Sequence, residues 1–151
     1  MTEQLLAVEN SRLAVKVPPR WEVLPSEREE VVAIAEPVVA GSGFRANVVI
    51  VVLESAETIE QLGARSVAEA LAYPGRSHVC SDLEWGRPDV PGRVVHFLYE
   101  AADMCVAVTR SGIVTGTQVV EITASCDVLD FLHYEDLFTI IASNVRLKEM
   151  A

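Results

Sequence analysis

Phe44-Arg45-Ala46-Asn47-Val48-Val49-Ile50-Val51-Val52-Leu53 is a short polar lead-in followed by a β-branched run. The run is too short to span a membrane and too rich in valine for a typical helix, so it reads as a strand. Upstream, Val31 to Ala35 reads as another strand, and Gly41-Ser42-Gly43 turns the chain between them, predicting a hairpin. Pro37 suggests that the first of the pair is an edge strand or carries a bulge. Further back, Leu13 to Val17 is a short strand stopped by Pro18-Pro19, and Trp21 then plugs the edge of the core. Ser26 to Glu30 is a charged turn, and residues 1–10 read as a frayed lead-in.

Downstream the period changes. Ile59, Leu62, Val67, Ala70 and Leu71 share one side of a helical wheel, Thr58 and Gln61 match a capping box, and Tyr73-Pro74-Gly75 stops the helix. His78 to Trp85 and Arg93 to Tyr99 then read as strands around a loop of turn formers, Arg87 to Gly92. Met104 to Thr109 and Gln118 to Ser125 follow. In the latter, Val120, Ile122 and Ala124 alternate with Glu121 and Thr123, which predicts one packed and one wetter face. Tyr134, Leu137, Phe138 and Ile141 mark a closing amphipathic helix, with Asp127 or Asp130 as its cap. Strands grouped in hairpins around two helices predict an α+β fold, a twisted antiparallel sheet of about six strands.

The 151 residues predict one domain over 1–151, and a hydrophobic share of 50% is enough for a full core. The net charge of -10 disfavours binding to nucleic acid or to anionic lipid surfaces and suits solubility or a basic partner. Cys80, Cys105 and Cys126 are odd in number and lie in strand-like segments, so small buried thiols and a reducing, cytoplasmic compartment are expected. The first ten residues lack a basic start and an apolar run, which argues against a secretory leader, and no direct membrane insertion is expected. Lysine is confined to Lys16 and Lys148 while arginine and alanine abound, a bias of GC-rich bacterial genomes.

The candidates for chemistry are thin. His78 and Cys80 share a strand, but two donors do not make a zinc site. With the hairpin turn centred between Asp89 and Val90, His96 falls opposite Leu83, away from His78. Cys126 and His133 flank the start of the last helix, where a thiol can be activated, yet seven positions of separation do not supply a base within reach. Gly41-Ser42-Gly43 lies between strands, so it is a turn and not a dinucleotide loop. Asp82 and Glu84 fall on one face of a strand, read as the solvated one. No catalytic residue, metal or cofactor is expected.

Several strings carry a family likeness. Pro18-Pro19-Arg20-Trp21 resembles an early P-x-x-W turn, Phe44 to Val49 an F-R-x-N-V-V string, and Tyr134 to Ser143 a closing helix with an aromatic pair and final serine. In that order, over about residues 11–147, they resemble the PsbP/LpqN/DcrB-like (Mog/PsbP-like) superfamily, in its bacterial LpqN-type branch. The resemblance implies a central antiparallel sheet sandwiched by helices. It also implies binding of other macromolecules without catalysis, as an adaptor or in secretion and chaperone work. The expected function is therefore a non-enzymatic module for a protein or peptide partner, a second copy of the chain included. The alternative is a small apolar ligand held between sheet and helix. Trp21, Phe44, Arg45 and Trp85 are the expected partner-binding residues, since aromatics and arginine anchor interfaces.

Overall fold

In a computed structural model, residues 4–38, 43–85 and 90–148 are described. The strands are β1 (Leu6–Glu9), β2 (Leu13–Val17), β3 (Glu22–Leu24), β4 (Val31–Ala35), β5 (Asn47–Glu54), β6 (Ser77–Trp85), β7 (Gly92–Ala101), β8 (Met104–Val114), β9 (Gln118–Asp127) and β10 (Arg146–Leu147). The helices are α1 (Ile59–Leu71) and α2 (Phe131–Ser143). An antiparallel sheet of seven strands, ordered β3-β4-β5-β9-β8-β7-β6, carries the fold, and β1-β2-β10 form a smaller sheet.

The valine run is β5, and it lies inside the sheet between β4 and β9. The β4–β5 hairpin forms as expected, Val31 facing Val51 and Ala35 facing Asn47. Of its Gly41-Ser42-Gly43 turn, Gly41 and Ser42 lie outside the described residues. Two expectations need correction. Residues 6–9 are not frayed, because each of them pairs with β2. Glu22 to Leu24, to which the sequence reading assigned no element, pair with β4 as an outer strand. For the same reason β4 is not an edge, and Pro37 lies just past its end, where no ladder amide is lost.

Antiparallel partners share a face, so the register sorts the side chains. The row Ala35, Asn47, Ser125, Val108, Phe97, Val79 faces α1. The next row, Ile34, Val48, Ala124, Thr109, His96, Ser81, faces α2. Helix α1 starts at the expected capping box: Gln61 N donates to Thr58 Oγ1 (3.2 Å) and Thr58 N to Gln61 Oε1 (2.9 Å). It packs over β6, β7 and β8, with Ala70 above Val95, Phe97, Val106 and Val108, and Leu62 on Val114 and Val119. Gly112 permits this approach, since a Cβ there would lie 2.6 Å from Leu62 Cδ2.

Helix α2 lies over β8 and β9 and against β2. Phe138, Ile141 and Ala142 close a core with Leu13, Val15, Ile34, Val48, Ile50 and Ile122. Asp130 occupies its N-cap without a side-chain bond. The bond is made one turn earlier, where Leu129 N donates to Asp127 Oδ1 (2.9 Å) in a 3-10 turn leading into α2. The two helices thus cover different parts of the sheet: α1 screens β6–β8 on one face, and α2 with the small sheet screens β4, β5 and β9 on the other.

The face called wetter from the sequence is largely filled by ions held between α1 and the sheet. Arg65 pairs with Glu57, Glu69 and Glu121, Arg110 with Glu69, and Arg93 with Asp82. Glu121 Oε1 is buried and touches Arg65 outside hydrogen-bond geometry. The hydrogen bond from Arg65 holds Glu57 below the usual carboxylate range.

Candidate binding groove beside the second helix

Strand β7 reads Arg93-Val94-Val95-His96-Phe97-Leu98-Tyr99, apolar on both sides, as a strand covered on both faces would be. Only one side is covered. Val95 and Phe97 are each 1% exposed beneath α1. Val94, His96 and Leu98 point to the other face, where α2 stops short over β8. What remains is a groove between the flank of α2 and the β6–β7 strands. One hollow of about 240 Å³ is lined by Leu83, Trp85, Val94, Thr109, Glu135 and Phe138 among others. It meets, at His96 and Glu135, a second of about 390 Å³ lined by Leu98, Ala107, Val128, Phe131 and Leu132. Two large apolar side chains in its lining are largely exposed: Leu83 is 59% exposed and Leu132 87%.

A bulge shapes the β6 wall. The register shifts between Val79 and Ser81, so Cys80 is extruded and exposed. Between the bulge and the turn, the unbroken run of pairs that starts at Trp85–Gly92 sets His96 opposite Ser81 and not Leu83 as the turn position predicted. Beyond the bulge, His78 faces Leu98. Asp82 and Glu84 do share a face, but it is the α1 side, where Asp82 accepts from Arg93 Nε (2.6 Å). Leu83, which alternates with them, looks into the open groove.

His96 is the polar centre of the groove. Its Nδ1 lies 2.9 Å from Ser81 Oγ, and the ring stands edge-on to Phe131 with centroids 6.3 Å apart. Burial lowers its pKa, against the pull of the Glu135 carboxylate, so the ring is neutral at neutral pH. A hydroxyl bonded to an imidazole is the one arrangement here that touches on catalysis, and the sequence reading missed it. Acyl transfer also needs donors placed for an oxyanion. The side chains of Leu98, Ala107, Val128 and Phe131, with the Glu135 carboxylate, surround the pair, which is a polar spot in a largely apolar wall.

The thiols behave in three ways. Cys126 is buried as expected, and burial pushes its pKa up to about 11, which leaves it inert beside the α2 start. Cys105 is half-buried and Cys80 exposed, so the expectation of three buried thiols holds for Cys126 alone. His133 points away from Cys126's core, edge-on to Tyr134 with centroids 4.8 Å apart.

The four expected partner-binding residues do not form one patch. Trp85 ends β6 and lines the groove, half-buried. Trp21 is on the opposite flank of α2, edge-on to Tyr134 (6.5 Å), in a wider cleft of about 940 Å³ with Pro18, His133 and Leu137. Phe44 packs into the cluster beneath α1. Arg45 Nε donates to Glu36 O (2.6 Å) and its guanidinium pairs with Glu22, which ties β3 to the β4–β5 hairpin. His96, Leu83, Phe131, Leu132 and Glu135 are the groove residues that sequence reasoning did not assign to a binding site. Their signals were the two-sided apolar run of β7 and the leucines of α2 that fall outside its buried stripe.

A seven-stranded antiparallel sheet with one helix on each face and a small sheet beside the second defines a Mog/PsbP-like fold. Solved structures confirm it. The chain superposes on LpqN, involved in cell envelope biogenesis of Mycobacterium tuberculosis, with TM-score 0.72 at 15% identity, covering 97% of this chain and 91% of that one. On the cyanobacterial PsbP (CyanoP) of Synechocystis sp. PCC 6803 the values are 0.71 and 13%, with 98% and 95% covered. On a variant of the protein Mog1 they are 0.63 and 11%, with 97% and 96% covered. No family model and no curated protein matches the sequence.

Proposed function

We propose that the chain is a non-enzymatic module that binds a segment of another protein in the groove between α2 and the β6–β7 strands. The observation that carries this reading is β7, apolar on both faces and covered on one. A strand of that composition loses hydrophobic stabilisation wherever it meets water. The rim leucines add to the same surface, and Trp85 is the member of the expected set that belongs to it. Trp21, in the cleft on the other flank, would serve a second contact of the same partner, while Phe44 and Arg45 support the hairpin between them. An adaptor or chaperone role suits such a groove. Three unpaired thiols support a reducing, cytoplasmic setting in a bacterium. Among the described residues no helix is long and apolar enough to cross a membrane.

A small apolar ligand is the second reading, favoured by the hollow of about 390 Å³ under Phe131, which is within the range of ligand sites. The hollow opens to solvent along the groove, which suits a polypeptide better. The test is affinity capture from the native host with the wild-type chain and with Leu132→Asp side by side, read by mass spectrometry. A partner held by the wild type and lost by the variant is expected. Identical recoveries, or a thermal shift by a metabolite that the substitution abolishes, would replace this reading with the second.

A further inference from the structure

We infer that the occupant of the groove, on the reading just given, is an amphipathic helix of another protein with leucine-type residues along one stripe and lysine or arginine beside it. The shape argument comes from α1. That helix covers β6, β7 and β8 on one face of the sheet. The opposite face leaves β6 and β7 open beside β8, which α2 covers, and strands spaced about 4.8 Å apart with the α2 flank as a wall make a bed for one helix. The flank of α2 would be the neighbour of the incoming helix, for Val128, Leu132, Glu135 and Thr139 follow helical spacing along the groove.

The charge argument selects the partner. The described side chains that face the groove include the carboxylate of Glu135 and no lysine or arginine. The chain as a whole carries -10. A second copy would bring its own Glu135 and the same acidic surface against this one, and like charges across an interface oppose docking. A basic flank satisfies Glu135 at the rim, while the leucine stripe buries Leu83, Leu132, Val94 and Leu98.

The probe is a fluorescent synthetic helix of leucines and lysines, compared by anisotropy with its glutamate counterpart and with a scrambled leucine–lysine peptide, all against the full chain. The leucine–lysine helix should bind at least about tenfold more tightly than either control. Leu132→Asp should weaken it about tenfold, although the substitution adds negative charge. That sign separates docking from general attraction of a cation to an acidic protein, which would be strengthened. Aspartate in the first turn of α2 suits the helix, so folding is retained. Glu135→Lys should narrow the preference between the two helices. Equal binding of both helices, each lost on Leu132→Asp, would overturn the charge class and leave the groove in place. A dimer in sedimentation that Leu132→Asp dissolves would put a second copy there instead. Binding indifferent to Leu132→Asp in every peptide would overturn the groove as well.

Discussion

Strands β6 and β7 present two faces built from the same stretch of chain, and the two have opposite fates. Toward α1, Val95 and Phe97 are sealed, and Arg93 and Asp82 are paired at the margin. Toward α2, Val94 and Leu98 are half-buried, Leu83 is exposed, and His96 is satisfied by Ser81 alone among the described residues. Hydrophobicity does not separate them. What separates them is where the helices land. Gly112 lets Leu62 bring α1 down over β8, whereas α2 packs toward the small sheet with Leu13, Val15 and Val17 and meets β7 only at its first turns, where Phe131 stands against His96. A sheet with an apolar strand and half a roof holds stability on one side and binding capacity on the other.

The sharpest way to break this contrast is to cut the roofed face. Phe97→Ala should cost about 3–5 kcal/mol in urea denaturation, because a fully buried ring leaves a cavity between α1 and the sheet. A loss below about 1 kcal/mol would mean that α1 is seated loosely and that the two faces are alike.

Next in size is the ionic seam that fastens α1. Arg65 serves Glu57, Glu69 and Glu121 at once. Arg65→Met should cost about 2 kcal/mol, less than a fully buried pair because the site is partly solvated, since three carboxylates are left facing one another. The pH dependence gives the sign. Glu57 has its pKa depressed in the fold from 4.5, so the unfolded chain binds more protons below that value. Its contribution is whole above about 4.5 and is lost as pH falls through the lower, folded pKa. The variant should therefore show a shallower acid decline than the parent chain, and an unchanged slope would show that the seam does not titrate.

The roofed face was largely legible in the sequence and the open one was not, for physical reasons. The capping box at Thr58 and Gln61, the helical stripe through Leu62 and Ala70, and the alternation along Val119 to Ser125 are local signals. The structure uses each as read, except that Leu71 at the end of the stripe is exposed. The fold as a whole followed from hairpin grouping and from the likeness of three short strings. Strands β1 and β3 escaped because four and three residues carry too little pattern, and their pairing is decided by what β2 and β4 offer across space. The register that Trp85–Gly92 opens, which places His96 opposite Ser81 where the turn formers suggested Leu83, and the bulge at Cys80 beyond it have no marker in the sequence. The groove depends on how far α2 reaches across the sheet. No residue of β7 can report that, and the rule that aromatics and arginine anchor interfaces led to Phe44, which packs beneath α1, and to Arg45, which pairs with Glu22.

A smaller effect should come from His96. Burial depresses its pKa from 6.5, so between that value and the lower folded one the unfolded chain holds more protons and the native state loses stability as pH falls. Glu135 counteracts the shift, which limits its size. In the range just below neutrality, where the carboxylates of the α1 seam are still ionised, His96→Gln should flatten the slope of stability against pH. An equal slope in parent and variant would place the ring in bulk water and remove it from the groove wall. A bound helix that dries the groove should depress the pKa further, readable from the imidazole resonances by NMR.

The least change in stability is expected on the open face. Leu83→Ser and Leu132→Ser remove large apolar side chains, as Phe97→Ala does, but Leu83 and Leu132 are 59% and 87% exposed. Little apolar area returns to water on unfolding, so each should stay within about 0.5 kcal/mol of the parent in urea denaturation. If the groove is where a partner docks, the same two substitutions should weaken that complex several-fold, so that binding and stability part company. Should either one destabilise the free chain by as much as about 2 kcal/mol, the side chain would be packed in solution and the face already closed. The two faces of β7 would then differ only in which helix covers them.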